Sequence, residues 1–170
     1  YALNNDLTNV VETLEKLIER YPREINAYLE LHWVYLSFYE HEKDVEILRR
    51  GLRVDLSDKL LWNELAYACA VLNRREEALE AINEYLKLAP GEYNPYDSRG
   101  DIHAMFGEYD SSRVWYLKAI GFRRDFFSAM KLGFDAIVHR SYKEAEQYFQ
   151  MSGFQFPVIE IHRGQLKAAK

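Results

Sequence analysis

The stretch LWNELAYACAVLNRREEALEAINEYLKLAP, from Leu61 to Pro90, decides the fold of this 170-residue chain. Its large, small and closing residues are Trp62, Leu65, Ala66, Ala78, Ile82 and Pro90. Residues of the same kind recur 34 positions away: Tyr28 and Tyr96 for Trp62, Leu31 for Leu65, Gly100 for Ala66, Leu48 and Tyr116 for Ile82. A single-residue deletion near Asp125 brings in a further copy with Leu132, Gly133, Ala145, Phe149 and Pro157. A fixed period of this length is typical of a repeat protein.

The repeated pattern resembles that of the tetratricopeptide repeat (TPR) family. In that family a large residue opens the first helix of each repeat, helix A, and a Leu-Gly or Leu-Ala pair follows. The second helix, helix B, carries small and aromatic residues, and a Pro closes the repeat. The resemblance covers nearly the whole chain. It implies an all-α fold, a right-handed α-α superhelix of about four helix-turn-helix repeats with terminal helices.

The phase of the pattern predicts one TPR domain, 1–170, and fixes the bounds of its parts. Four repeats are expected at Ile25–Asp58, Lys59–Glu92, Tyr93–Asp125 and Phe126–Ile159. Segment 6–22 has the pattern of a lone helix B, and segment 160–170 has that of a final helix A. The lone helix and the absence of Met at Tyr1 indicate a segment of a longer protein.

Small residues at one position of helix A are expected to allow close packing. These are Ala66, Gly100 and Gly133, each opposite helix B of its own repeat. A larger side chain there would overpack the hairpin at a cost of about 1–3 kcal/mol.

Gly100 also belongs to an Arg-Gly-Asp tripeptide, 99–101, the sequence that adhesion proteins present to integrins. Asn94, Pro95 and Asp97 just before it are residue types that favour a helix N-terminus. The tripeptide is therefore predicted to lie inside helix A of the third repeat. A helix turns its first and third residues about 200° apart, so we do not expect an adhesion role.

Composition narrows the class of partner and the compartment. The formal net charge of −5 disfavours nucleic-acid binding, which normally needs a basic surface. No apolar run approaches the roughly 20 residues that span a bilayer, so membrane insertion is not expected. The single cysteine, Cys69, excludes an internal disulfide and fits a reducing compartment. We expect a cytoplasmic protein, with a fragment of an exported or membrane-attached parent as the alternative.

No catalytic or metal-binding motif stands out in the sequence. The histidines contain no i, i+4 pair of the kind that a helical zinc site uses; they are His32, His41, His103, His139 and His162. No glycine-rich phosphate loop occurs, and no nucleophile stands in a pattern that would assemble with a base and an oxyanion site. We therefore predict no enzyme activity, no metal and no cofactor.

The resemblance implies that helices A line a concave groove. The residues predicted to bind a ligand there are Asn26, Glu30, Trp33, Asn63, Glu64, Tyr67, Asp97, Asp101, Lys131 and Phe134. Aromatic side chains on a rigid wall offer contact area at low entropic cost, as peptide-binding hot spots do. Four of the ten are carboxylates, which makes the middle of the groove acidic. The predicted ligand is an extended peptide with apolar side chains and one Lys or Arg.

The leading hypothesis is thus a non-catalytic scaffold that binds a protein or peptide segment in its groove. A second hypothesis is that the aromatic residues only cover neighbouring helices or receive the chain's own terminal helix. Self-assembly is a third, in which an exposed terminal helix or a Tyr-rich convex surface pairs two copies into a homodimer. A fourth is a regulatory or sensory segment of a larger bacterial signalling protein.

Overall fold

The computed structural model describes residues 2–122, 126–153, 160–162 and 165–167 of the protein. Within these ranges the elements are α1 Ala2–Arg20, α2 Ile25–Ser37, α3 His41–Val54, α4 Lys59–Val71, α5 Arg75–Leu88, α6 Asn94–Met105, α7 Tyr109–Phe122, α8 Phe126–Val138, α9 Tyr142–Ser152, β1 Glu160–His162 and β2 Gln165–Lys167. The predicted all-α, helical-repeat fold class is confirmed. In the part of the chain so described, no helix combines the length and the apolar character needed to cross a membrane.

Helices pack in the order of the chain within two compact units. The first unit is Tyr1–Pro90 and contains α1 to α5, and the second is Gly91–Lys170 and contains the remaining elements. In the first unit α1 packs on α2, α2 on α3, α3 on α4 and α4 on α5. In the second unit α6, α7, α8 and α9 pack successively in the same way.

The helix bounds can be compared with the predicted repeats. Each of the four predicted repeats contains one helical hairpin: α2 with α3, α4 with α5, α6 with α7 and α8 with α9. The predicted lone helix 6–22 corresponds to α1, which begins earlier, at Ala2, and ends at Arg20. The exact repeat limits remain a prediction, and Asp125, Pro157 and Ile159 lie outside the described residues.

The turns between helices A and B repeat the same backbone conformation. A left-handed residue occurs in each turn, at Tyr39, Asn73, Gly107 and Arg140, with φ between 57° and 74°. The next N–H in each turn donates to the carbonyl five residues earlier: Glu40 to Tyr35, Arg74 to Cys69, Glu108 to His103 and Ser141 to Ala136. This bond pattern closes a helix C-terminus and turns the chain sharply. The spacing of the four turns, 34, 34 and 33 residues, repeats the sequence period and its single deletion.

The glycines of helices A make room for aromatic rings of helices B. A Cβ atom at Gly133 would lie 2.7 Å from Cε1 of Phe149, and one at Gly100 would collide with the ring of Tyr116. Such distances are too short for packed carbon atoms. The prediction of close packing at these small residues is therefore confirmed. Gly100 is buried inside α6, so the Arg-Gly-Asp tripeptide lies in a helix and not in an exposed loop.

The final predicted element has a different secondary structure. In place of a helix over 160–170, β1 and β2 form an antiparallel pair in which Ile161 is opposite Leu166. A glycine, Gly164, interrupts this segment and costs a helix about 1 kcal/mol relative to Ala. A β-branched residue such as Ile161 is better suited to a strand. The predicted terminal helix A is therefore wrong over the residues that are described.

Candidate functional site

The ten predicted ligand residues all lie on the first helices of the predicted repeats. In the first unit, α2 and α4 carry Asn26, Glu30, Trp33, Asn63, Glu64 and Tyr67, which we call the first face. In the second unit, α6 and α8 carry Asp97, Asp101, Lys131 and Phe134, which we call the second face. Within α2, Asn26, Glu30 and Trp33 share one side because they are spaced four and three residues apart.

The first face exposes an aromatic ring beside a free carboxylate. Trp33 leaves 49% of its surface exposed, although it lies in the middle of α2. Glu30 is one turn earlier, is exposed, and has no hydrogen-bond or ion-pair partner among the described residues. Asn26 donates from Nδ2 to Oε1 of Glu24, 3.0 Å away, and also lies at the surface. An indole and an unpaired carboxylate are thus available on the same side of one helix.

Glu64, on α4 of the first face, is already engaged by the protein. Its side chain is 14% exposed, and its Oε2 atom lies 3.5 Å from Nε2 of His32. Its Oε1 atom accepts a hydrogen bond of 3.1 Å from Nδ2 of Asn63. Asn63 itself is buried, so it orients Glu64 and is not exposed for ligand contact. Tyr67 is half-buried on the same helix.

A buried ion pair lies directly beneath the first face. His32 of α2 and Asp44 of α3 are 2% and 0% exposed, and Nδ1 of His32 is 2.6 Å from Oδ1 of Asp44. Burial by itself lowers the pKa of His32. The hydrogen bonds and negative charges of Asp44 and Glu64 outweigh burial and raise that pKa to about 9. The His32 ring also contacts the Trp33 ring, with 4.5 Å between their centroids.

The sequence contains a signal for this pair. His32 and Asp44 stand 34 residues before Ala66 and Ala78. The corresponding pairs in the later repeats are Gly100 with Ser112 and Gly133 with Ala145. All these positions are buried. The first predicted repeat therefore has a charged pair where the other three have small residues.

The carboxylates of the second face are also paired. Nζ of Lys131 lies 2.9 Å from Oδ2 of Asp97 and 2.7 Å from Oδ1 of Asp101. Ser128 donates to Asp97 over 2.6 Å, and the Tyr116 hydroxyl donates to Asp101 over 2.6 Å. The structure thus brings Asp97 and Asp101 together around the single cation of Lys131.

Burial changes the proton affinities within this cluster. It raises the pKa of Asp97, against the opposing effects of Lys131 and Ser128. Burial lowers the pKa of Lys131, but Asp97 and Asp101 more than compensate, so the pKa rises above its ordinary value. The pKa of Tyr116 is raised by burial and by the charge of Asp101. Of the four predicted carboxylates, Glu30 alone has no hydrogen-bond or ion-pair partner among the described residues.

An apolar strip accompanies this cluster on α8. Phe134 is 42% exposed and its ring meets that of Phe149 edge-on, with 5.2 Å between centroids. Phe127 and Val138, seven residues before and four after it, expose 59% and 78% of their surfaces. Residues at these spacings share one side of a helix. The sequence pattern also places Phe127 and Val138 on the side of the helix that carries Phe134, because the repeat positions of all three face the predicted groove.

These features define a class of protein: a helical repeat with exposed aromatic side chains on α2 and α8, the first helices of two of its hairpins. Within the described ranges, no group of three or more His, Cys, Asp or Glu side chains is arranged to hold a metal ion. Cys69 is buried, and burial raises the pKa of its thiol to about 11, which is opposite to the activation of a nucleophile.

Comparison with known proteins extends this assignment. The structure is similar to a crystal structure of MamA, with a TM-score of 0.70, 18% identity and coverage of 89% of both chains. A TPR repeat-containing protein of Methanocaldococcus jannaschii is 30% identical over 118 residues, 69% of this chain and 21% of that protein. The human cell division cycle protein 16 homolog is 30% identical over 97 residues, 56% of this chain and 16% of that protein. No family model matches the chain.

The chain is a tetratricopeptide repeat protein, as the repeat pattern and these relatives together show. It spans about a fifth or less of the length of the curated relatives named above. Proteins of this family typically act as non-catalytic scaffolds and mediate protein–protein interactions.

Proposed function

We propose that this chain is a non-catalytic binding module that holds an extended peptide or protein segment against the helices A of its repeats. The observation that supports the proposal most is the exposed indole of Trp33 beside the unpaired carboxylate of Glu30. Tryptophan is enriched among residues that dominate binding energies. Leaving it half-exposed in mid-helix costs hydrophobic burial that a ligand would restore.

The charges of the first face favour a particular ligand chemistry. Glu64 lies 3.5 Å from His32, whereas Glu30 has no ion-pair partner among the described residues. A Lys or Arg side chain of the ligand would pair with Glu30 and could lie over the Trp33 ring, since cations are attracted to indole faces. Apolar side chains on either side would cover the remaining aromatic surface. The ligand is thus an apolar peptide segment that carries one cation.

A peptide-library selection tests this function. The wild type would be compared with Trp33→Ala, Glu30→Gln and Tyr21→Ala; Tyr21 is a matched control because it is 50% exposed but lies outside both faces. Trp33→Ala should weaken the enriched peptides roughly 30-fold, the loss expected of a hot-spot residue. Glu30→Gln should lose only the preference for Lys or Arg.

Circular dichroism would establish that all variants remain helical. Peptides that bind wild type, Tyr21→Ala and Trp33→Ala equally would exclude the first face as the site. Equal enrichment of cationic and neutral peptides by the wild type would exclude Glu30 as a charge contact.

The strip on α8 supports self-assembly as a second candidate function. Phe127 and Val138 expose much of their apolar surface next to the second face, and exposed apolar patches often mark protein–protein contacts. Sedimentation at increasing protein concentration would detect dimers. Dimers that persist in Phe127→Lys would not be formed through this strip, and a constant monomer mass would exclude self-assembly. The cation at Glu30 plays no part in this alternative.

A further inference from the structure

We propose that the buried His32–Asp44 pair sets the charge of the first face: protonated His32 attracts the carboxylate of Glu64, and loss of that proton releases Glu64 as a second anionic contact for a cationic ligand. The proposal has two halves. Its ligand half, the change in affinity for a cationic ligand, rests on the proposed function. Its structural half, the coupling of His32 to Glu64, is independent of any ligand.

The two carboxylates around His32 favour a protonated ring. The two ring nitrogens of His32 face different carboxylates, Nδ1 that of Asp44 at 2.6 Å and Nε2 that of Glu64 at 3.5 Å. A neutral imidazole has one N–H and one acceptor nitrogen, so it cannot donate toward both. Nε2 makes no hydrogen bond with the described residues, so its contact with Glu64 is an ion-pair contact, and the two carboxylates together favour the imidazolium. Deprotonation would leave a nitrogen lone pair facing a carboxylate, and Glu64 would then turn toward solvent.

The core does not need a charged pair at this place. Ala66 with Ala78 fills the corresponding space of the second predicted repeat and is buried without polar groups. Replacing buried ion pairs by apolar residues is often neutral or stabilising, so packing alone gives no reason for His32 and Asp44. Contact of the same imidazole with Trp33 and Glu64, both on the first face, indicates a positioning role.

The surroundings of His32 leave few other groups that could produce the same titration. Asp44 faces it from α3 and Glu64 from α4. The neighbouring α1 packs on α2 through the apolar side chains of Val11, Leu14 and Ile18. Cys69, on α4, is influenced by Asp44, but its pKa of about 11 keeps the thiol protonated below pH 10.

The direction of the effect follows from these charges. At neutral pH His32 carries its proton and the first face presents one unpaired carboxylate, that of Glu30. As pH rises through about 9, His32 becomes neutral and the face presents two. Arginine keeps its charge throughout this range. The affinity for an arginine peptide should therefore rise by roughly two- to fivefold, the contribution of one exposed ion pair.

The experiment combines a carboxyl titration with binding of a defined probe. Nuclear magnetic resonance of protein labelled at the glutamate carboxyl carbons would follow Glu64 from pH 6 to 10, assigned by its loss in Glu64→Gln. The probe is the blocked peptide acetyl-Leu-Arg-Leu-amide, titrated at pH 7 and pH 9.5. The control is the double variant His32→Ala with Asp44→Ala, which recreates the small pair of the second predicted repeat.

In the wild type, Glu64 should shift with the same midpoint as the His32 ring, and the probe should bind more tightly at pH 9.5. In Glu64→Gln and in the double variant the affinity should be independent of pH. A Glu64 signal that does not follow His32 would overturn the proposal, as would a pH effect that persists in Glu64→Gln. A probe that binds at no pH would refute the ligand half and the charge contact of the proposed function, while the carboxyl titration would still decide the coupling.

Discussion

The ring of Tyr116 on α7 fills the space that a side chain at Gly100 on α6 would need. The ring cannot move away freely, because its hydroxyl donates a 2.6 Å hydrogen bond to Asp101. Tyr116 is also buried, with 6% of its surface exposed. The absence of a side chain at one residue of helix A therefore determines where an aromatic ring of helix B can lie.

Gly100→Ala should destabilise the second unit by about 1–3 kcal/mol through overpacking against Tyr116. Gly121→Ala is the matched control, because a Cβ atom there would meet no atom of the described residues within 4 Å and Gly121 is exposed in helix α7. The control should gain up to about 1 kcal/mol from better helix propensity. Urea unfolding measures both. Equal effects of the two substitutions would show that the contact with Tyr116 is unimportant.

His32→Ala should lower the free energy of unfolding far more than the loss of side-chain volume suggests. It leaves Asp44 fully buried without its cation, which typically costs about 3–5 kcal/mol. Adding Asp44→Ala removes the stranded charge and should recover most of that loss. A double-mutant cycle by urea unfolding gives the coupling between the two side chains. Two small, additive losses would contradict a buried ion pair.

The stability of the first unit should fall in alkaline solution. The pKa of His32 is about 9 in the folded protein, whereas the ordinary value, which applies to the unfolded chain, is 6.5. Between pH 6.5 and pH 9 the folded state therefore binds more protons than the unfolded state. The stabilisation is complete below about pH 6.5 and disappears as pH rises through 9. It amounts to on the order of 3 kcal/mol. Unfolding free energies from pH 6 to 9.5 should decline in the wild type and stay level in the double variant without His32 and Asp44.

Removing Lys131 should expose the repulsion between Asp97 and Asp101. Lys131→Met is expected to cost about 1–3 kcal/mol at pH 7, since two partly buried carboxylates lose their shared cation. Protonation of Asp97, whose pKa burial already raises, relieves the repulsion, so the loss should shrink toward pH 4. Lys143→Met, at an exposed position of α9, is the control and should be near neutral. A loss that is the same at both pH values would argue against charge repulsion.

The sequence period was sufficient to predict the helical hairpins because it reports which residues are buried. Gly100 and Gly133 could be identified as close-packing positions in this way. The paired carboxylates could not, because periodicity gives the side of a helix on which a residue lies and not its partner. Lys131 lies 34 residues after Asp97, one more than the 33-residue spacing of the turns in these two hairpins, so the repeat pattern does not pair the two residues.

Two other features depart from the repeat pattern. His32 and Asp44 are visible only when their positions are compared with Ala66 and Ala78, and not when histidines are sought as metal ligands. The segment after the last hairpin carries an apolar residue, Leu166, at a helical position. Gly164 and the β-branched Ile161 oppose that choice, and two short strands form in its place.

The turn at Tyr39 offers a test of backbone strain. Tyr39 has φ of 60° and is 82% exposed, and its ring lies edge-on to His41 with 6.0 Å between centroids. Tyr39→Gly and Tyr39→Ala both remove that ring contact, so they differ mainly in how well they accept the left-handed conformation. The glycine variant should be more stable than the alanine variant by about 1 kcal/mol, because a Cβ atom is strained there. At Gly121 in α7 the order should be the opposite, with alanine the more stable. Urea unfolding would compare Tyr39→Gly with Tyr39→Ala, and the wild type with Gly121→Ala. If the alanine protein is the more stable one at both sites, the turn at Tyr39 is not held in its left-handed conformation.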